Sequence, residues 1–184
     1  MVNGIVGTAL FALALSSLPA AGAGITVYPS AGGSVPVVSL SGEIATGDAQ
    51  AFRRATHRLD RAMVILDSAG GEVADALGIG AVIATTGFTT LVGPDIGCSS
   101  ACGLVWLAGA RRYMAASSGI GFHTSVRNNG AAVTSYLADL GLDAEAVRVI
   151  ATAGPQLRLT PDWARQLGIE VYLVDAGGSV VRSD

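Results

Sequence analysis

The sequence contains no lysine, since all eleven of its cationic residues are arginine. A serine–lysine catalytic pair is therefore excluded. Charge is scarce overall, at 14% of the residues with a formal net charge of −3, and this balance argues against a nucleic-acid-binding protein. The two cysteines are too few for a disulfide scaffold, and no second pair is present to complete a zinc site, so we expect no metal.

Charged side chains are also absent before Glu43. An apolar run over residues 5–15 is followed by a proline and by small residues that end at Ala23, a pattern typical of a secretory signal. We therefore expect residues 1–23 to be a cleaved signal peptide, and the protein to be exported to a periplasmic or extracellular location. The alternative is an uncleaved anchor, the one case in which we expect a membrane contact; eleven strongly apolar residues are too few to span a bilayer.

The remaining chain is predicted to hold a Gly-, Ala- and Ser-rich flexible lead-in over residues 24–34 and one domain over residues 35–184. The apolar run Met63–Leu66 is typical of a strand buried on both faces of a parallel sheet. Similar patterns predict strands near 37–42, 89–92, 112–114, 120–122 and 170–174. Helices are predicted near 46–62, from 72 onward, and near 102–110, 131–140, 143–154 and 160–168. This alternation predicts an α/β fold with crossover connections.

Three segments carry residues suited to acyl transfer. The first is the glycine turn Asp67-Ser68-Ala69-Gly70-Gly71, and the second is Cys98-Ser99-Ser100-Ala101-Cys102-Gly103 at the start of an apolar helix. The third is Gly121-Phe122-His123, which contains one of only two histidines. Together they offer free backbone N–H groups for an oxyanion, a hydroxyl nucleophile and a base.

These segments, together with Gly42-Glu43-Ile44 and in this order, resemble the proteolytic subunit of Clp protease within the Clp protease/crotonase superfamily. The resemblance is closer still to a secreted branch of that superfamily, whose members carry a Cys-x-Ser-Ala-Cys element, and it covers about residues 36–175. It implies a spiral of β-β-α units in a single domain, a peptide or acyl substrate and no cofactor, and it allows a homo-oligomer.

The resemblance also assigns roles to individual residues. Ser100 is the nucleophile that preserves the family spacing, thirty residues after Gly70 and nine before Gly109. His123 matches the general base. Gly71 and Ala101 match the donors of the oxyanion hole, while Gly70 makes the tight turn, where a side chain would block the approach to the oxyanion.

Two departures from the family pattern concern this site. Ala69 stands where the Clp subunit has proline, and the helix expected to supply the third, acidic member has no carboxylate over residues 147–152. His123 would then need another orienting group, such as Thr152 or a backbone carbonyl. Cys98 and Cys102 could form a disulfide in an oxidising compartment, or they could be two small buried residues that pack under the start of the helix.

The sequence thus predicts a secreted, ATP-independent serine peptidase or acyl hydrolase, since an exported protein has no ATP-driven unfoldase beside it. The alternative is a non-catalytic binding or assembly module that retains the fold. Acyl-CoA chemistry fits poorly, because export separates the protein from coenzyme A.

Overall fold

The structure, a computed structural model, describes residues 22–30, 32–123, 129–154 and 157–181. In these ranges the strands are β1 (Gly24–Tyr28), β2 (Val37–Ser41), β3 (Met63–Asp67), β4 (Thr89–Val92), β5 (Cys98–Ser99), β6 (Arg112–Ala115), β7 (Ile120–Phe122), β8 (Leu157–Leu159), β9 (Tyr172–Val174) and β10 (Val180–Val181). The helices are α1 (Asp48–Thr56), α2 (Val73–Thr86), α3 (Ala101–Leu107), α4 (Gly130–Asp139), α5 (Ala144–Ala151) and α6 (Pro161–Gln166).

The described strands form two sheets. The larger sheet has the order β1-β2-β3-β4-β6-β9-β10, in which the five inner strands run parallel and the two edge strands run antiparallel to their neighbours. The smaller sheet has the order β5-β7-β8, with β5 and β7 parallel and β8 antiparallel. The prediction of a single-domain α/β fold is confirmed.

Helix α3 lies in the centre of the core, as its apolar sequence predicts, and all seven of its residues are buried. Gly103 allows this helix to pack directly on β7, because a Cβ at that position would lie 2.6 Å from the ring of Phe122 and 2.8 Å from Ile120. The hydroxyl of Tyr136, on α4, donates a hydrogen bond of 2.9 Å to the Leu104 carbonyl, and burial raises the pKa of this phenol. The helix that follows the candidate serine is therefore held from two sides.

The flexible lead-in expected over residues 24–34 is corrected in its first part, where the structure has strand β1. Ile25 and Val27 alternate with exposed residues and pack against the core, while Gly24–Tyr28 pairs in full register with Val37–Ser41. Apolar side chains at alternate positions favour a strand here, although small residues surround them. The expected signal peptide covers residues 1–23, of which residues 1–21 lie outside the described part. No helix of the described part is long and apolar enough to cross a membrane.

Candidate active site

The candidate residues gather at the carboxyl ends of neighbouring parallel strands, where ligand sites of α/β proteins form. Ser68 follows β3 and forms a parallel bridge with Cys98 of β5. Ser100 follows β5, and His123 follows β7. Three segments that lie far apart in the sequence therefore end at one edge of the fold.

The turn after β3 is shaped by Ser68. The buried Ser68 hydroxyl accepts the Gly70 N–H at 3.1 Å, and the Ser68 backbone bonds to Gly97 and Ser99 on the β5 side. Such a serine bond to the backbone two residues later stabilises a turn in the way a proline would pre-set it. The Ser68 hydrogen bond thus compensates for Ala69, which stands where the Clp subunit has proline. The sequence alone did not predict this role of Ser68. A serine two positions before a glycine was the available signal.

Gly70 lies directly against the candidate serine. It has a φ of 97°, and an added Cβ would lie 2.7 Å from the Ser100 Cβ and 2.8 Å from the Ala101 nitrogen. The turn backbone and the start of α3 therefore approach each other as closely as a glycine permits.

The backbone on either side of Gly71 is fixed by Ile44. The Gly70 carbonyl and the Glu72 N–H both bond to Ile44, at 2.7 and 2.9 Å, so the N–H of Gly71 itself is turned away from Ile44. Neither the Gly71 nor the Ala101 N–H donates to a backbone carbonyl of the described residues. Of these two residues, Gly71 is exposed and Ala101 is buried beside Ser100.

Ser100 has an unusual backbone conformation, with φ 55° and ψ −126°. Only one other non-glycine residue of the described part, Asp95, has a positive φ. These angles match the first central position of a type II′ turn, which glycine normally occupies. A non-glycine residue there costs about 1–3 kcal/mol, and such strain clusters at functional sites.

The serine is tied to the strand that leads to His123. The Ser100 N–H donates to the Gly121 carbonyl at 2.6 Å, and Ser99 is the register partner of Gly121. His123, half-buried, therefore follows two residues after the carbonyl that holds Ser100. The neighbouring Ser99 hydroxyl instead packs over Gly121, where a Cβ would lie 3.0 Å from it.

Cys98 and Cys102 form a disulfide, with their Cα atoms 5.3 Å apart. Cys98 is on β5 and Cys102 is on α3, so the bridge joins a strand end to a helix start rather than two residues of one regular helix. Both cysteines are buried, and the bridge encloses Ser99, Ser100 and Ala101.

Thr152, the residue considered as an orienter of His123, lies after α5. Its exposed hydroxyl donates to the Arg148 carbonyl at 2.8 Å, so its proton is bound within its own helix. Thr152 also lines an open, mainly apolar groove of about 540 Å³ between α4 and α5. Among the described residues, no group of three or more His, Cys, Asp or Glu side chains could hold a metal ion.

The fold defined by these elements is that of the Clp proteases. The ClpP protease catalytic domain of Plasmodium falciparum is similar over 76% of this chain and 84% of its own, with a TM-score of 0.60 and 16% identity. ClpP1 of Listeria monocytogenes is similar over 78% and 94%, with a TM-score of 0.60 and 16% identity.

A third solved structure is the 1510-N membrane protease of Pyrococcus horikoshii, specific for a stomatin homolog. It is similar over 78% of this chain and 83% of its own, with a TM-score of 0.56 and 20% identity. At these identities the likeness is one of fold. No protein-family model and no curated protein matches the chain.

Proposed function

We propose that the protein is a secreted, ATP-independent serine peptidase or related acyl hydrolase. In this proposal Ser100 is the nucleophile, His123 is its general base, and the N–H groups of Gly71 and Ala101 bind the oxyanion. The assignment to the secreted branch rests on the Cys98–Cys102 element, and a disulfide there is compatible with an oxidising compartment.

The observation that carries the proposal is the conformation of Ser100. A serine that is 7% exposed, with a φ of 55°, lies against a glycine turn that leaves a backbone donor unused. A helix cap alone would not require this strain, because the usual N-cap serine has an extended backbone. The arrangement is that of a nucleophile placed on a sharp strand-to-helix turn.

The proposed chemistry follows from these positions. The Ser100 Oγ adds to the carbonyl carbon of a peptide or ester while His123 accepts the hydroxyl proton. The negative charge that develops on the carbonyl oxygen receives hydrogen bonds from Gly71 and Ala101, and each such donor contributes about 3 kcal/mol. His123 then returns the proton to the leaving group, and water repeats the sequence on the acyl-enzyme.

The alternative function, a non-catalytic binding or assembly module, is favoured by one observation. No carboxylate lies within residues 147–152, where the family resemblance expects the acid, and the Thr152 hydroxyl is already bonded to the Arg148 carbonyl. We expect slow turnover for this reason, since the acid of such triads contributes orders of magnitude to the rate. Assembly into a homo-oligomer remains a prediction under both functions.

Labelling with a fluorophosphonate probe tests the proposal. The purified protein should acquire one covalent label, and Ser100→Ala should abolish both the label and any ester or peptide hydrolysis. Ser99→Ala is the matched control: it removes the adjacent hydroxyl, which packs over Gly121, and should retain most of both signals. A wild-type protein that resists the probe and hydrolyses nothing in a broad peptide and ester panel would favour the binding module.

A further inference from the structure

The disulfide and the strained serine occupy the same five residues. Cys98 and Cys102 bracket Ser100 by two positions on each side, and their Cα atoms are only 5.3 Å apart. Within this span the chain leaves β5, passes through the positive φ of Ser100 and enters α3. The bridge therefore closes the turn that contains the serine.

Backbone hydrogen bonds hold the two sides of the turn, but they do not include the Ala101 N–H at the start of the helix. The Ser99 N–H bonds to Ser68 and the Ser100 N–H bonds to Gly121, which hold the strand side. On the helix side, the Gly103 N–H bonds to the Ser100 carbonyl. The peptide between Ser100 and Ala101 is therefore held through its carbonyl by this one bond of 3.0 Å, while its Ala101 N–H donates to no backbone carbonyl of the described residues.

Without the bridge, Ser100 could relax to a right-handed helical conformation and extend α3 by one residue. Such a relaxation rotates the Ser100–Ala101 peptide and turns its N–H away from the space beside Gly70. It would also remove the cost of a positive φ in a non-glycine residue.

We infer that the Cys98–Cys102 disulfide is a positioning element that holds Ser100 in its positive-φ conformation and keeps the Ala101 N–H directed toward the oxyanion. The inference deepens the proposed function and rests on it for its kinetic consequence; the conformational consequence stands independently. The cysteines take no part in the chemistry, since both sulfur atoms are bonded to each other and buried.

The test compares the full chain with Cys98→Ser/Cys102→Ser. We expect kcat, per folded molecule, to fall by about tenfold to a hundredfold, the population change that corresponds to release of the strain at Ser100. KM should change little, because neither cysteine is assigned a contact with the substrate. Leu107→Ala is the matched control. It creates a cavity at the C-terminal end of α3 and lowers stability, but it should leave kcat unchanged.

A spectroscopic readout separates this inference from the proposed function. The three-bond coupling between the amide proton and Hα of Ser100, with its Cα chemical shift, reports φ in the folded protein. It should indicate a positive φ in the native chain and a negative φ in the double variant. If the native chain neither reacts nor hydrolyses, the proposed function fails while this readout still decides the role of the disulfide.

A second variant covers the case in which the serine substitutions prevent folding. Cys98→Ala/Cys102→Val keeps the two sites apolar and close to their original volume, and mild reduction of the native chain by a dithiol gives a third disulfide-free form. A positive φ at Ser100 in any folded, disulfide-free form would overturn the inference, whatever happens to kcat. A negative φ there would support it.

Discussion

Glycine is required at position 70 for space as well as for backbone conformation. The residue has a φ of 97°, and its missing side chain would point at the Ser100 Cβ, the Ser99 carbonyl and the Ala101 nitrogen, all within 2.8 Å. None of these neighbours is the flexible end of a long side chain, so none can move aside without displacing the start of α3.

We therefore predict that Gly70→Ala lowers hydrolysis and probe labelling at least a hundredfold, because the new methyl group displaces the oxyanion donors. Gly87→Ala is the control: Gly87 also has a positive φ, 70°, but a Cβ there meets nothing within 4 Å. This variant should lose about 1 kcal/mol of stability and keep its rate. Steady-state kinetics with urea unfolding of both variants measures the difference, and a native rate in Gly70→Ala would contradict the assigned oxyanion site.

At this scale the sequence assigns candidate roles to residues, but it does not reveal the contacts that hold those residues in place. Spacing from Gly70 and Gly109 selects Ser100, but spacing does not reveal a positive φ, which depends on contacts with Gly70 and Gly121. Ser68 was missed because its role is a single hydrogen bond within a turn. The disulfide stayed one of two alternatives because the direction of Cys98 depends on β5, a strand of two residues.

Asp48 links three elements at the site edge of the larger sheet. Its carboxylate, with the residue only 8% exposed, accepts the N–H groups of Ala23 and Ala45, each at 2.8 Å. Ala23 precedes β1, and Ala45 follows Ile44, the residue whose backbone bonds to the Gly70–Glu72 turn. Asp48, the first residue of α1, thus holds both the start of β1 and the segment that supports the Gly70–Gly71 turn.

We predict that Asp48→Ala destabilises the chain that retains Ala23 by about 2–3 kcal/mol, since it leaves two part-buried N–H groups without this acceptor. Asp162→Ala serves as the comparison. Asp162 also lies in the first turn of a helix, but its side chain is 88% exposed and pairs only with Arg165, so the loss there should stay within about 0.5 kcal/mol. Urea unfolding of the two variants gives both values, and equal losses would show that the Asp48 bonds contribute nothing.

Hydrophobic patterning predicts most of the elements. The sequence predicts β2, β3, β4, β6, β7 and β9 and all six helices, with ends that differ from the structure by up to about three residues, except that α1 ends at Thr56, well before the predicted end near residue 62. Thr160 caps α6, its hydroxyl accepting the Trp163 N–H. Of the strands with only two or three residues, β7 and β9 are predicted, whereas β5, β8 and β10 are not. They form because neighbouring strands supply the hydrogen bonds, which is tertiary information.

At the scale of the whole molecule, the candidate site belongs to both sheets. The larger sheet supplies the Gly70–Gly71 turn at the end of β3, and the smaller sheet supplies Ser100 and His123 at the ends of β5 and β7. The parallel bridge between Ser68 and Cys98 joins the two sheets at this point. The site therefore depends on the docking of one sheet against the other, which no single sequence motif contains.

We predict that the protein is exported, and the structure gives a physical reason why cleavage of the signal peptide after Ala23 would be tolerated. The pairing of β1 with β2 begins at Gly24, so cleavage after Ala23 leaves all five register pairs intact. Cleavage there removes the Ala23 N–H that donates to Asp48 and creates an α-ammonium group one residue later, at Gly24.

N-terminal sequencing of the protein from its native host should therefore begin near Gly24. Ala23→Leu is the matched variant, because a large residue at the cleavage position should block the peptidase and leave residues 1–23 attached. The two forms differ by the mass of the leader, which mass spectrometry of periplasmic or extracellular fractions resolves directly. Intact protein starting at Met1 in a cytoplasmic fraction, for the native sequence, would refute export and with it the secreted form of the proposed function.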